Sequence, residues 1–315
     1  MNGICKLCGA NAPLIFGHII PAFVIRWLKK TSATGHFRSL GTGERVQEGE
    51  REYLLCANCE QRLGRFEKQF SEQIFLPYQK HPQPQVFAYE EWLLRFVVSL
   101  HWRVLALYPN ASSAVAQACA AAAEEWRQYL LEQSPNPGTA EFHIYFVDVV
   151  SHSTFELPKK FNWYMARSID ASAMYKDHGD AGVYVKLPRI ITVSFIKLQN
   201  QRDKWQGTKL AARGTLTIPQ QVYIPIFSQL LLERAKLLDA APPMLTARQK
   251  QKIERQAKTQ PEMIRNSDSF RVHVADRNMT VGPRYQTPFV IKGRDRNKPC
   301  PCGSRIKAKK CHGRP

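Results

Sequence analysis

Apolar residues recur at helical spacing in three long stretches of the chain, and this pattern predicts three helices. The stretches are residues 89–108, 113–133 and 219–240, the last with a break at Pro225. Residues 141–150 and 181–198 are instead rich in β-branched and aromatic side chains, so they predict strands, the second interrupted near Pro188. We therefore expect a central domain of mixed α+β class over residues 85–240.

A shorter change of pattern lies near the start of the chain, in the stretch EYLLCANCEQRLGRFE of residues 52–67. A hydrophobic strand ends there at a pair of cysteines, and an amphipathic helix follows. Three prolines then fall within residues 77–84, and prolines interrupt regular structure. We therefore expect a separate N-terminal domain over residues 1–78.

The charge of the chain is strongly positive and unevenly distributed. The formal net charge is +19, and residues 246–315 hold 18 Lys and Arg against 5 Asp and Glu. Nucleic acid is the usual partner of such an excess, because each neutralised phosphate releases condensed counterions. We expect contact with DNA or RNA, with a solvated basic surface as the alternative. Residues 241–295 are predicted to form a basic linker or helix.

Composition places the chain among ordinary globular proteins, with 44% hydrophobic and 23% charged residues. No apolar run approaches the roughly 18–20 residues that cross a bilayer. The first residues also lack the charged and apolar regions of a signal peptide. We therefore expect a cytoplasmic protein without membrane contact. No pattern indicates its oligomeric state.

Seven of the eight cysteines fall into tight groups near the two ends of the chain. The first groups are two CxxC pairs, Cys5 with Cys8 and Cys56 with Cys59. Two such pairs supply four thiolates, the ligand set of a closed structural zinc site with no open position for catalysis. Disulfides are not expected in a reducing compartment. The remaining Cys119 is predicted to be a small buried residue on an alanine-rich helix.

The tail NKPCPCGSRIKAKKCHGRP supplies a second closed ligand set, of three thiolates and one imidazole. Its members are Cys300, Cys302, Cys311 and His312. Because so short a unit has no hydrophobic core, bound zinc would be what folds it. The stretch resembles the SEC-C motif in PCPCGS and KKCHG, and departs from it at Arg305 and Ala308. The resemblance implies that residues 296–315 form a zinc module that docks a protein or ribosome partner, and that the chain is bacterial.

The N-terminal motifs CKLC, FGHIIPAF and YLLCANCE resemble the HNH nuclease family over about residues 3–70. In that family a treble-clef zinc finger supports a ββα-metal site. The resemblance implies that His18 is the general base that activates water against a phosphate. It further implies that Glu60 holds Mg²⁺ or Mn²⁺, with Glu67 two helical turns along the same face. The chain as a whole is then α+β: a treble-clef finger, a mixed central domain and a zinc-bound tail.

Several positions depart from the HNH pattern. Gly17 stands where the family usually has Asp, no Asn stands near Arg51 or Glu52, and Glu60 replaces the final His. A second interpretation therefore stays open. Glu60, at the first or second helical position, would favour the positive end of the helix dipole, and His18 would donate to a backbone carbonyl.

Two functions follow from these two interpretations. The first is a metal-dependent endonuclease of HNH type, such as occurs in bacterial anti-phage or mobile-element systems. The second is a non-catalytic zinc-finger adaptor that binds nucleic acid and docks a partner through its tail.

Overall fold

A computed structural model describes most of the chain: residues 1–38, 45–46, 48–80, 85–107, 114–153, 156–175, 180–197, 207–220, 225–240, 246–281, 296–298 and 307–311. The chain divides into two compact units. The first comprises residues 1–150 and 158–278, and the second comprises residues 151–157 and 279–315. The residues assigned to the N-terminal and central domains lie together in the first unit, apart from residues 151–157.

The N-terminal part contains a three-stranded antiparallel sheet with a helix directly after its last strand. Its elements are β1 (Asn2–Ile4), β2 (Asn11–His18), α1 (Ala22–Lys30), β3 (Phe37–Arg38), β4 (Arg45–Val46), β5 (Arg51–Cys56) and α2 (Ala57–Phe70). The strand order is β1-β2-β5, and the ladder between β2 and β5 sets His18 opposite Arg51. Helix α2 buries Leu63 and Phe70 and contacts both β2 and β5.

The remaining elements follow a π-helical turn at Ser71–Phe75. They are α3 (Leu76–Lys80), β6 (Val86–Tyr89), α4 (Glu91–Leu107), α5 (Ala114–Leu130), β7 (Glu141–Phe146), β8 (His152–Ser153), α6 (Phe161–Arg167), β9 (Asp170–Tyr175), β10 (Ala181–Leu187), β11 (Ile190–Lys197), β12 (Gly214–Thr217), α7 (Pro225–Ala240), α8 (Ala247–Thr259), α9 (Pro261–Arg265), α10 (Asp268–Asn278), β13 (Thr280–Val281) and α11 (Ala308–Cys311). The mixed α+β class is confirmed.

A four-stranded antiparallel sheet, in the order β7-β11-β10-β9, forms the centre of the first unit. Every residue of β10 is buried, and α4, which buries 13 of its 17 residues, packs on this sheet. Three smaller pairings are β3 with β4, β12 with β6, and β13 with β8 inside the second unit. Within the described ranges, no helix is long and apolar enough to cross a bilayer.

Aromatic side chains join the N-terminal part to α4. Phe70 of α2 stacks on Phe96 of α4, with ring centroids 4.1 Å apart. Phe75 packs edge-on against Phe23 and Trp27 of α1. Helical structure continues from the π-helical turn into α3, which contains Pro77. The first of the clustered prolines therefore does not end the helical segment. The N-terminal sheet and the central sheet consequently share one hydrophobic core.

A network of buried charges connects α1, α6 and α10 with the turn after β10. Asp268 accepts hydrogen bonds from Arg189 at 2.7 Å and from Arg167 at 3.1 Å. Both guanidinium groups also lie over the ring of Trp27, and Arg167 donates to the carbonyl of Leu28 at 2.7 Å. Burial raises the pKa of Asp268, but Arg189 and Arg167 outweigh it, and the net pKa is lowered.

Replacing Asp268 with Asn is expected to destabilise the fold by about 3–5 kcal/mol, because two buried guanidinium groups lose their shared counter-charge. Urea unfolding at pH 7 measures this loss. Because the pKa of Asp268 is lower in the folded state, its stabilisation is complete above its unfolded pKa of about 4 and is lost as the pH falls through the folded pKa. The D268N variant should lack that part of the acid dependence.

The matched control is Arg271→Ala, which removes the half-exposed partner of the same carboxylate. It should cost less than about 1 kcal/mol. Equal losses in the two variants would contradict a structural role for the buried pairs.

Candidate metal centre and adjoining carboxylate pair

Four cysteine thiols converge beside the N-terminal sheet. Cys5 and Cys8 lie in the turn between β1 and β2, Cys56 ends β5, and Cys59 lies in the first turn of α2. Their Sγ atoms all lie within 4.8 Å of one another. The Sγ atoms of Cys8 and Cys56 are 3.8 Å apart. Two thiolates at about 2.3 Å from one tetrahedral zinc ion would be separated by about the same distance. The cluster therefore fits a structural zinc site.

Backbone groups hold the thiols of this cluster in place. The Cys56 N–H donates to Cys5 Sγ at 3.4 Å, and the Lys6 N–H donates to the Leu54 carbonyl at 2.9 Å, which docks the first CxxC pair on β5. Burial raises the pKa of the Cys5 thiol, but backbone hydrogen bonds, those of Cys8 and Cys56 foremost, lower it to about 7. This lowered pKa favours the thiolate of Cys5, the form that binds metal, whereas burial raises the pKa of Cys59.

Beside the cysteines, Glu60 and Glu67 of α2 face Arg103 of α4. Arg103 Nη2 lies 2.8 Å from Glu67 Oε1 and 3.9 Å from Glu60 Oε2. Arg103 is 1% exposed, and its Nη1 has no acceptor in the part of the chain that the structure describes. The two glutamates do share one face of α2, as predicted. Sequence reasoning missed the arginine between them.

Glu60 also reaches across to strand β2. A Cβ added at Gly17 would overlap Glu60 Oε1, so a side chain at position 17 would require this carboxylate to move. Glu60 is the fourth residue of α2, not the first or second as predicted, but it still lies in the first turn, near the positive end of the dipole. Burial raises the pKa of Glu60, whereas Arg103 acts in the opposite direction.

His18 lies at the end of β2 and is half-buried. Burial lowers its pKa, and the charge of Arg51 lowers it further, against smaller opposing effects of Glu48 and Glu67. The imidazole is therefore neutral at pH 7, which is the form that a general base requires. The predicted bond from His18 to a backbone carbonyl is not found among the described residues.

The divalent cation implied at His18 and Glu60 finds little support in this arrangement. Within the described ranges, the four cysteines are the only group of three or more His, Cys, Asp or Glu side chains whose ligand atoms lie together. Mg²⁺ is commonly held by one or two carboxylates and several waters. Here one of the two carboxylates, that of Glu67, is already paired with Arg103. These residues as arranged do not fit a cation site.

Residues 296–314 match the SEC-C motif, so the predicted tail motif is confirmed. The ligand candidates Cys300, Cys302 and His312, and the side chain of Cys311, lie outside the described residues. No family match covers the N-terminal finger. No curated protein and no solved structure matches the chain.

Purified protein is expected to contain about two zinc ions per chain, because each of the two cysteine groups supplies four ligands. Cys59→Ser should lose one zinc ion and destabilise the first unit. Cys311→Ser should also lose one but leave the unfolding of the first unit unchanged. Elemental analysis with thermal unfolding measures both effects.

Cys119→Ser is the matched control, since Cys119 is buried but lies outside both groups. It should keep both zinc ions. Wild-type zinc content in Cys59→Ser would rule out the four-cysteine site.

Proposed function

We propose that the protein binds nucleic acid and hydrolyses phosphodiester bonds at an HNH-like site, with His18 as the general base. The observation that carries this proposal is the arrangement of β2, β5 and α2. Strands β2 and β5 pair antiparallel, and the four cysteines lie where these strands meet α2. The end of β2 thereby lies against the face of α2 that bears Glu60. This matches the ββα arrangement of the family that the motifs resemble.

In the proposed reaction, His18 accepts a proton from the attacking water. Its lowered pKa keeps it unprotonated at neutral pH. Because the side chains of His18, Glu60 and Glu67 do not form a three-ligand group, the proposal depends on His18 and not on the Mg²⁺ or Mn²⁺ that the resemblance implies.

An exposed basic helix supports contact with nucleic acid. Helix α8 begins with a capping box formed by Thr246 and Gln249, and its one acidic residue is Glu254. Its exposed cationic side chains are Arg248, Lys250, Arg255 and Lys258. Solvated cations on a helix can contact a phosphate backbone without reading its bases.

A non-catalytic adaptor is the second candidate function, and the pairing of Arg103 with Glu67 favours it. The 2.8 Å contact uses one of the two carboxylates that a nuclease site would need. In the adaptor function, the four-cysteine cluster is only a structural scaffold. The first unit binds nucleic acid, and the SEC-C tail docks a protein or ribosome partner.

His18→Ala is expected to reduce cleavage by about a hundredfold or more, because it removes the general base. The assay compares plasmid, single-stranded DNA and RNA, each with Mg²⁺, with Mn²⁺ and without added cation. His273→Ala, at an exposed position of α10, serves as the matched control and should cleave like the wild type.

Zinc content is measured in every variant, so that unfolding is not mistaken for loss of chemistry. Equal cleavage by wild type and His18→Ala would exclude His18 as the base. An inactive wild type on all three substrates would leave the adaptor as the better function.

Replacing Arg248, Lys250, Arg255 and Lys258 together with Gln should weaken nucleic-acid binding and flatten its salt dependence. If all four contact phosphates of duplex DNA, the slope of log K against log salt should fall in magnitude by about 3–4. Fluorescence anisotropy over a salt series measures the slope. Glu254→Gln is the control and should leave the slope unchanged. Truncation at residue 246 is unsuitable, because it also removes Asp268 from the buried network. An unchanged slope in the fourfold variant would assign α8 another role.

A further inference from the structure

We propose that the guanidinium of Arg103 is the resident cation of the Glu60–Glu67 pair and takes the place that the resemblance assigns to a divalent metal ion. As a statement about the proposed nuclease site, this inference rests on the proposed function. Its test measures metal binding and stability, so its failure can be distinguished from an absence of cleavage.

The geometry places one positive group against two negative ones. Arg103 Nη2 is at hydrogen-bond distance, 2.8 Å, from Glu67 Oε1, and the same nitrogen lies 3.9 Å from Glu60 Oε2. The side chains of the two glutamates are only 27% and 19% exposed, so water screens their charges poorly. Partly buried carboxylates are stabilised by a counter-charge, and the arginine supplies it.

Arg103 cannot readily leave this position. It lies in the middle of α4, between Trp102 and Val104, which are 3% and 1% exposed. Moving it into solvent would require repacking of the interface between α2 and α4. The charge is therefore fixed, whereas a hydrated metal ion exchanges with solvent.

A divalent ion would meet two obstacles here. It would lie close to a like charge that has little solvent screening, and it would have to take the Glu67 oxygen that now accepts from Arg103. Gly17 of strand β2 offers no compensating ligand, because it has no side chain and the space beside it is filled by Glu60 Oε1. Arginine and metal thus compete for the same carboxylates.

The first experiment titrates zinc-loaded, full-length protein with Mn²⁺ and follows free Mn²⁺ by electron paramagnetic resonance. We expect that the wild type has no Mn²⁺ site that depends on Glu60. Mn²⁺ binding should therefore be the same in the wild type and in Glu60→Gln. A stoichiometric Mn²⁺ site in the wild type that disappears in Glu60→Gln would overturn the proposal. This measurement does not require any Arg103 variant to fold.

The second experiment removes the resident charge. Arg103→Met keeps most of the buried stem but leaves the two carboxylates without a cation, and it should lower the melting temperature by about 10 °C. Added Mn²⁺ should recover several degrees of that loss, because it binds only the folded carboxylate pair. The same Mn²⁺ should not shift the wild type.

Two controls separate charge from packing. Arg103→Lys keeps a cation in place and should not respond to Mn²⁺. Arg103→Met combined with Glu67→Gln removes one carboxylate and should lose the response that Arg103→Met gains. A folded Arg103→Met protein that Mn²⁺ does not stabilise would show that the pair needs no resident cation.

Discussion

Four thiols within 4.8 Å of one another cannot all ionise unless a cation lies among them, and this constraint fixes the N-terminal half of the molecule. The thiols come from two chain segments far apart in sequence, so one bound ion would join the turn after β1 to the start of α2. The cluster is not isolated from the rest of the first unit. Cys5 and Cys59 belong to the same hydrophobic core as the central sheet, and Arg127 of α5 donates to the Leu7 carbonyl beside the cluster at 2.9 Å.

Two clusters of buried charge occur in the first unit, with opposite composition. Asp268 lies between Arg167 and Arg189, and Arg103 lies between Glu60 and Glu67. Asp148 supplies a second, more exposed carboxylate to Arg189, at 3.3 Å. Such ion pairs add little to the net free energy of folding. Any rearrangement that separates the partners, however, costs on the order of 3–5 kcal/mol. They define how α1, α2, α4, α6 and α10 dock, and hence where the end of β2 is held.

The elements that sequence reasoning found are those with a local signal. The CxxC pairs, the helix after Cys56 and the apolar helix that became α4 each follow from spacing within a short window. The path through Pro77 was missed because burial of Phe75 and Tyr78 outweighs the local effect of the prolines. Arg103 had one available signal, a charge within the apolar second half of its helix, residues 96–107, where a buried charge requires a partner. The identity of that partner depends on the packing of α2 against α4. These helices are far apart in the sequence, so a short stretch of residues does not reveal the contact.

The contact between Gly17 and Glu60 gives a different meaning to two of the departures from the HNH pattern. Written as letters, the missing Asp on the strand and the missing His on the helix are independent mismatches. In space the two positions are linked, because the carboxylate of Glu60 enters the volume that a side chain at position 17 would fill. A comparison of residue letters treats the two positions separately, whereas the structure couples them. Positions 17 and 60 should accordingly be varied as a pair in any mutant library of this protein.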